Sequence, residues 1–553
     1  GAGNDWIDAG EGNDTVNAGD GYDFVIGGLG NDVLDGEGGN DVVWGGNSEL
    51  VATDFFGSEF PVMVSGPEQL PGLFENPPEF DATQSDARFF VDYSVLNVNF
   101  QIVPVGLGGM SVAGVAADGT DTIAGGSGID WLFGGNGSDE IAGGDDGDYI
   151  DAGNDNDTVV DGGDGDDIIR GGNHDDILHG GGGVDYLLGE DGADVLFGDD
   201  APGIDAQANP GVTGNGQRLF GGAGRDSLYA FAASADVTAE SPLIGDQLFG
   251  GGGGDFLYGN IRQEILVGGD GNDTIEGDGV VGPDHLEHEA GHVDGGADII
   301  IGGSGQDLVR GGGGDDVIWG GADGDFLEGQ NGSDQVFGGG GIDFLVLDVN
   351  AAYSSQDNEQ YDGHRGNEQT GLPADDNATD ILLIEGTSDD DQVVLAQDES
   401  LRLLVGLADR SPDAGPLPDQ TTLVPNDRQI EATWRDAIDN TPLVEQFRIS
   451  GLNGNDFVSF LSASDANTQL DDPMTAGDDG TYGALDVAVL SERSADWVGV
   501  IDGGPGDDYL RGSQARDLID GGSGSDIVFD LEGSDRLWGD AGDGFVTDHD
   551  VLY

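Results

Sequence analysis

Gly125 to Phe133 reads G-G-S-G-I-D-W-L-F, and this nine-residue unit decides the fold because it recurs along most of the chain. Written G-G-x-G-x-D-x-U-x, with U apolar, it joins six residues of turn chemistry to three that suit a short strand. Gly134 to Ala142 (G-G-N-G-S-D-E-I-A), Gly171 to His179 (G-G-N-H-D-D-I-L-H) and Gly302 to Arg310 (G-G-S-G-Q-D-L-V-R) are further copies. Aspartate returns every nine residues at Asp121, Asp130, Asp139, Asp148 and Asp157 and, after one extra residue, at Asp167, Asp176, Asp185 and Asp194.

The chain around these copies has 553 residues, 106 of them Gly, with 110 acidic and 16 basic side chains and a net charge of -94. All the basic residues are Arg, which removes Schiff-base chemistry and a phosphate-loop lysine. So large a negative excess, with no basic cluster, argues against nucleic acid and against an anionic membrane surface; cations are the natural partners. Cysteine is absent, so no disulfide or thiolate supports the fold. No apolar run approaches the ~20 residues of a membrane helix, so membrane insertion is not expected. Gly1 falls at the second position of a nonapeptide, which fits a processed chain or a segment of a longer one. Disorder or high-salt adaptation would scatter the acids, whereas here they are periodic and an apolar residue follows each at a fixed distance.

The first run of repeats covers residues 1–46, with Asp5, Asp14, Asp23, Asp32 and Asp41. Residues 47–117 shift to Pro, Phe and Val, and Phe89 to Val103 suggests one or two longer strands, so this stretch is read as a β-rich insertion or cap. The longest run, 118–346, carries loops near 201–216, 230–245 and 279–293 and returns to register at Asp226, Asp255 and Asp273, then at Asp298, Asp307, Asp316, Asp325, Asp334 and Asp343. From 347 to 500 the repeat lapses into an irregular β-rich region. Strands are expected at Ile381 to Glu385, Gln392 to Ala396, Leu401 to Leu407 and Phe447 to Gly451. Asn426 to Asp439 is expected to be a helix, with Ile430, Trp434 and Ile438 four apart. One unit survives there, at Asp456, and repeats resume over 501–553 with Asp508, Asp517, Asp526 and Asp535.

Three-residue strands between six-residue turns cannot form a sandwich, but two nonapeptides can wind into one coil of a parallel roll. Aspartates eighteen apart then stack on one edge, coils lying ~4.8 Å apart, and the carboxylates repel one another unless a counter-ion lies between them. Glycines at positions one, two and four let carbonyl oxygens turn inward. Carboxylates from stacked turns plus these carbonyls make an all-oxygen cage suited to calcium, while magnesium prefers a smaller octahedral site with retained water. Two buried U side chains per coil are too few to order eighteen residues, so metal binding is expected to supply much of the folding free energy.

The nonapeptide resembles the signature of the repeats-in-toxin (RTX), or haemolysin-type, calcium-binding proteins. The resemblance covers somewhat over half the chain and implies an all-β fold: a right-handed parallel β-roll, or solenoid, with calcium in the turns. It implies that the repeat aspartates from Asp5 to Asp535 named above are metal ligands, and that the chain leaves the cell by type I secretion and folds in external calcium. The ending Asp550-Val551-Leu552-Tyr553 looks like that of some type I substrates. Glu264 in place of aspartate, and His174 and Asp146 in place of the fourth-position glycine, depart from the pattern.

His288-Glu289-Ala290-Gly291-His292 matches H-E-x-x-H, and Gly295 and Asp298 extend it toward a zinc-protease pattern. That chemistry needs a helix and a catalytic domain, and here the motif sits in a loop, so His285, His288 and His292 read as loop histidines before a zinc site or a protease. G-x-S-x-G is absent, and Asp389-Asp390-Asp391 and Asp478-Asp479 read as turn residues or extra calcium ligands. No EF-hand loop fits. The expected function is therefore non-enzymatic: an extracellular calcium-binding structural protein, part of a surface filament, sheath or adhesin stalk, self-associating head to tail through its roll ends. The alternative is a calcium-dependent carrier or binding module of a larger secreted adhesin or enzyme, recognising cell-surface polysaccharide through regions 47–117 and 347–500.

Overall fold

The computed structural model describes residues 1–46, 119–198, 217–230, 244–278, 295–348, 360–362, 381–385, 391–397, 403–409, 428–432, 446–450, 457–460, 499–506, 508–513, 515–529, 535–538 and 551–552. All their regular elements are strands, and the chain forms two compact units, Gly1–Glu289 and Ala290–Tyr553.

In the first unit, consecutive strands alternate between two parallel sheets. Trp6–Glu11, Phe24–Leu29, Val42–Gly46, Trp131–Asn136, Tyr149–Asn154, Ile168–Asn173, Tyr186–Asp191, Arg218–Ala223, Ile244–Gly252 and Gln263–Asp270 follow one another across the first sheet. The strands between them, from Thr15–Asp20 to Thr274–Glu276, build the second. Two successive strands make one coil, and partners in regular coils are eighteen residues apart, as in Leu132↔Ile150. This is a parallel β-roll.

The full strands are longer than three residues. Trp131–Asn136 and Thr122–Ser127 each have six, because ladder hydrogen bonding continues through the Gly-Gly-x of the next repeat, with Gly126 opposite Gly144 and Ser127 opposite Asp145. The turn proper is only positions four to six. Gly-Gly can belong to a strand here because each backbone passes close to the next, where a side chain would not fit.

The two inner faces carry the U residues in single file. Val25, Val43, Leu132, Ile150, Ile169 and Leu187 line the first sheet and Leu34, Ile123, Ile141, Val160 and Leu178 the second, all but completely buried. The opposite face of the first sheet carries a second apolar cluster, in which Phe24, Trp44, Trp131, Phe133, Tyr149, Tyr186, Phe220 and Phe249 are buried at positions seven and nine, and the same face holds Arg170 paired with Asp151 and Glu190. Trp6 stacks on Phe24 with centroids 4.3 Å apart, and Phe220 on Phe249 at 4.8 Å. The equivalent face of the second sheet includes exposed Thr15, Asn17, Thr122 and Glu140.

Register survives the interruption at residues 47–118. Val42–Gly46 pairs directly with Trp131–Asn136, and Val33–Gly38 with Thr122–Ser127, so the runs on either side of residues 47–118 are neighbouring coils of one roll. The extra residue before Asp167 is Thr158, which sits between Asp157 and the strand Val159–Asp164 and leaves Val160 opposite both Ile141 and Leu178.

In the second unit, Ile299–Ser304, Val317–Ala322, Gln335–Gly340 and Gln360–Asp362 form one parallel sheet. A second runs from Leu308–Gly313 through Phe326–Asn331, Phe344–Asp348, Ile381–Glu385, Gln446–Ser450, Gly499–Asp502 and Asp517–Asp520 to Arg536–Trp538. Where the repeat lapses, Ile381–Glu385 and Gln446–Ser450 therefore continue the same ladder, with Leu345, Leu382 and Phe447 in one buried row. A third sheet stacks Asp391–Gln397, Phe457–Phe460, Tyr509–Arg511, Ile527–Phe529 and Val551–Leu552 in parallel, and Leu403–Asp409 and Arg428–Ala432 extend it antiparallel. Arg428–Ala432 corrects the helix expected over Asn426 to Asp439: Val405 pairs with Ile430, and ladder bonds override a helical spacing of only three apolar residues. The remainder of that stretch, the strand expected within Phe89 to Val103, and Asp389, Asp390, Asp478, Asp479 and Asp550 lie outside the described residues.

Candidate metal centre

Most repeat aspartates stand immediately before their strands, with Thr158 intervening after Asp157 and Asp517 opening its own strand, and the carboxylates reach along the roll. One Oδ1 accepts the backbone N–H of the aspartate in the preceding coil. On one edge Asp5 donates to Asp23 (2.7 Å), Asp23 to Asp41 (2.7 Å), Asp41 to Asp130 (2.6 Å), Asp130 to Asp148 (2.8 Å), Asp148 to Asp167 (2.7 Å) and Asp167 to Asp185 (2.9 Å). On the other, the same bonds link Asp14, Asp32, Asp121, Asp139, Asp157, Asp176, Asp194, Asp226, Asp255 and Asp273. In the second unit they join Asp298 to Asp316 and Asp334, Asp307 to Asp325 and Asp343, and Asp508 to Asp526. These carboxylates are buried except near the first coils, where Asp5 is exposed and Asp14 half-buried.

The second oxygen is treated differently. Oδ2 of Asp14, Asp23, Asp32, Asp41, Asp130, Asp148, Asp157, Asp167, Asp176, Asp194, Asp226, Asp255 and Asp325 is buried and accepts no hydrogen bond. A buried anion in that state costs several kcal/mol, on the order of the penalty for an unpaired buried charge, unless a cation joins it. The surroundings supply further oxygens. A methyl group at Gly125 would lie 2.5 Å from Asp130 Oδ2 and 2.6 Å from the Gly143 carbonyl oxygen of the next coil. At the fourth position, a methyl on Gly192 would strike the His174 carbonyl oxygen and come within 2.7 Å of Asp194 Oδ1. Glycine thus leaves room for carboxylate and carbonyl oxygens from neighbouring coils to converge. A donor set of oxygens alone, with nothing to hydrogen-bond it, fits a hard divalent cation.

Electrostatics say the same. Burial, opposed by the ladder N–H and reinforced by neighbouring carboxylates, raises Asp130 to about 8 and Asp148, Asp157 and Asp325 to about 9. Without a cation these groups would hold protons near neutrality.

His174 and Asp146 keep the turn despite replacing glycine: they take φ of 83° and 74°, and Asp176 and Asp148 remain in the ladder. Glu264 is buried in the aspartate position. Two ladder positions lack the G-G-x-G-x-D pattern, because V-T-G-N-G precedes Gln217 and S-P-L-I-G precedes Asp246. Asp246 and Gln217 each precede an x-U-x-Gly sequence, and Gln217 donates its N–H to Asp246 Oδ1 at 2.6 Å; the U residue with glycine two places later was the available signal. Asp517 stays in the ladder through Gly499 and donates to Asp535, but its Oδ2 is taken by the N–H of Ser513 at 2.7 Å. Asp456 and His285, His288, Glu289 and His292 lie outside the described residues.

The RTX calcium-binding nonapeptide repeat (4 copies) family model matches residues 1–25, 23–48, 115–150, 124–159, 152–187, 175–201, 213–233, 245–261, 258–279, 292–327, 311–345, 500–528 and 512–546, more than half of the chain. The chain belongs to the RTX calcium-binding repeat family. RTX nonapeptides bind calcium ions, and calcium is the cofactor of this protein. None of the curated proteins compared with this RTX chain matches it.

Proposed function

We propose that the protein is an extracellular structural element, a calcium-stabilised roll forming part of a surface filament, sheath or adhesin stalk and self-associating as rolls. The calcium ligands are the repeat aspartates of successive coils other than Asp517, with the carbonyl oxygens around their glycines, joined by Asp246. One observation carries the reading: stacks of buried carboxylates whose Oδ2 atoms accept no hydrogen bond. Such a chain folds where divalent ions are plentiful and stays open where they are scarce. Circular dichroism with and without chelation tests the calcium dependence, and electron microscopy with ultracentrifugation of the calcium-loaded chain tests assembly. The expected results are β signal that collapses on chelation and particles larger than a monomer. A β signal indifferent to chelation removes the calcium reading, and monomers in millimolar calcium remove the filament.

The carrier reading draws on a different fact. The strands on either side of residues 47–118 pair directly with each other, so the roll can carry an inserted segment without disturbing its own stack. Binding of segments 47–117 or 347–500 to polysaccharide supports that role, and its absence removes it.

A further inference from the structure

We infer that two turns, those closed by Gln217 and by Asp517, take no calcium because protein groups occupy the place of the ion. The inference rests on the reading that calcium fills the regular turns.

In the regular turn closed by Asp130 a carboxylate oxygen and a carbonyl oxygen, both acceptors, converge. Asp130 Oδ2 faces a carbonyl oxygen and accepts nothing, and only a cation reconciles two such groups. At Gln217 the pairing changes from acceptor–acceptor to donor–acceptor. Its Oε1 accepts the Asp185 N–H, the duty Oδ1 performs elsewhere. Its Nε2 donates to the Gly183 carbonyl oxygen at 3.0 Å. Gly183 holds the fourth position of the preceding turn, the position whose carbonyl, at His174, lies beside Asp194 Oδ1 in a neighbouring coil. Where a first-position glycine normally faces a carboxylate oxygen, Gly198 faces hydrocarbon: a methyl there would lie 2.7 Å from Gln217 Cγ. The amide is neutral, so it also removes one charge from the stack while passing the ladder on to Asp246.

The Asp517 turn reaches the same end by other means. It reads G-S-Q-A-R-D, with Ser513 and Ala515 where glycines usually stand. Ser513 donates its N–H to Asp517 Oδ2 at 2.7 Å, and its Oγ lies 2.9 Å from Oδ2 and 3.0 Å from Oδ1. The Ala515 N–H in turn donates to Ser513 Oγ at 3.1 Å. Both carboxylate oxygens and the hydroxyl are therefore satisfied within six residues. These two turns hold register independently of calcium.

Bound calcium counted by equilibrium dialysis and elemental analysis on the full chain tests this. Asp517→Asn and Gln217→Met are expected to keep the parent's count, while Asp130→Asn loses at least one ion. A loss in Asp517→Asn or Gln217→Met equal to that in Asp130→Asn overturns the inference. If Asp130→Asn loses none, the calcium reading of the regular turns fails instead. Should Gln217→Met not recover β signal in calcium, Gln217→Glu decides: one additional ion is expected, and an unchanged count overturns the assignment at that turn.

Discussion

Glycine and aspartate divide the work of each turn between them: glycine withholds a Cβ so that oxygens of adjacent coils can approach, and aspartate fills part of the space. Gly125→Ala would set a methyl group 2.5 Å from Asp130 Oδ2 and 2.6 Å from the Gly143 carbonyl. The expected loss is about 1–3 kcal/mol, the usual range for overpacking, together with at least one bound ion; urea unfolding in saturating calcium and a calcium count check both. At the fourth position the constraint is the backbone dihedral. His174 holds φ at 83° and pays for the left-handed conformation that glycine adopts freely. His174→Gly is expected to stabilise the calcium-loaded chain by about 0.5–1 kcal/mol, because relief of strain is partly offset by the freedom glycine has when unfolded. A destabilised variant in the same titration would show that the imidazole contributes more than the dihedral costs.

At the level of elements, the unit that matters is the coil rather than the nonapeptide. Strands of the first sheet in Gly1–Glu289 bury aromatic side chains at positions seven and nine, whereas the second sheet places exposed Thr15, Asn17, Thr122 and Glu140 there in its early strands and half-buried Phe197, Tyr229 and Tyr258 in later ones. Deleting eighteen residues, 134–151, keeps every later strand in its own sheet, and the calcium-loaded variant should retain cooperative melting and the parent's β signal per residue. Deleting nine, 134–142, exchanges the sheets for the strands that follow and moves Tyr149, Tyr186 and Phe220 from the buried outer face to the more exposed one. That variant should melt lower than the eighteen-residue deletion and bind a hydrophobic dye; equal melting would mean that the two sheets are interchangeable. Much of this level was legible beforehand: the U residues of Leu132 and Ile141 mark the inner faces. The strand at Arg428–Ala432 was not, because its apolar spacing suits a helix and only the partner strand Leu403–Asp409 selects extended backbone.

For the whole molecule, calcium and protons compete for the same carboxylates. Asp130, Asp148, Asp157 and Asp325 are raised from 3.8 to about 8 or 9 in the folded chain, first by burial. A raised acid favours the folded state while protonated, so its contribution is complete below the unfolded value of 3.8 and is lost as pH rises through about 9. The calcium-free chain should therefore gain β signal by circular dichroism on acidification from pH 9 towards pH 4. In saturating calcium the order reverses, since protons displace the ion, and melting temperature should fall with acid. A calcium-free signal that is flat with pH, or that falls in acid, would remove the buried carboxylates as its source.

By itself the sequence determined the period, the all-β roll, the two edges of stacked aspartates and calcium as their partner, since a nonapeptide with one acid and one inward apolar residue admits few other windings. Tertiary structure decided what distance along the chain conceals. Residues as far apart as Asp41 and Asp130 are direct neighbours, Gly-Gly joins the strands instead of the turns, the first sheet buries aromatic side chains on its outer face as well, and Gln217 and Ser513 satisfy turns that otherwise call for an ion. The reason is physical: sequence spacing reports the path of the chain, whereas hydrogen bonds and ligand sites depend on which coils lie against one another.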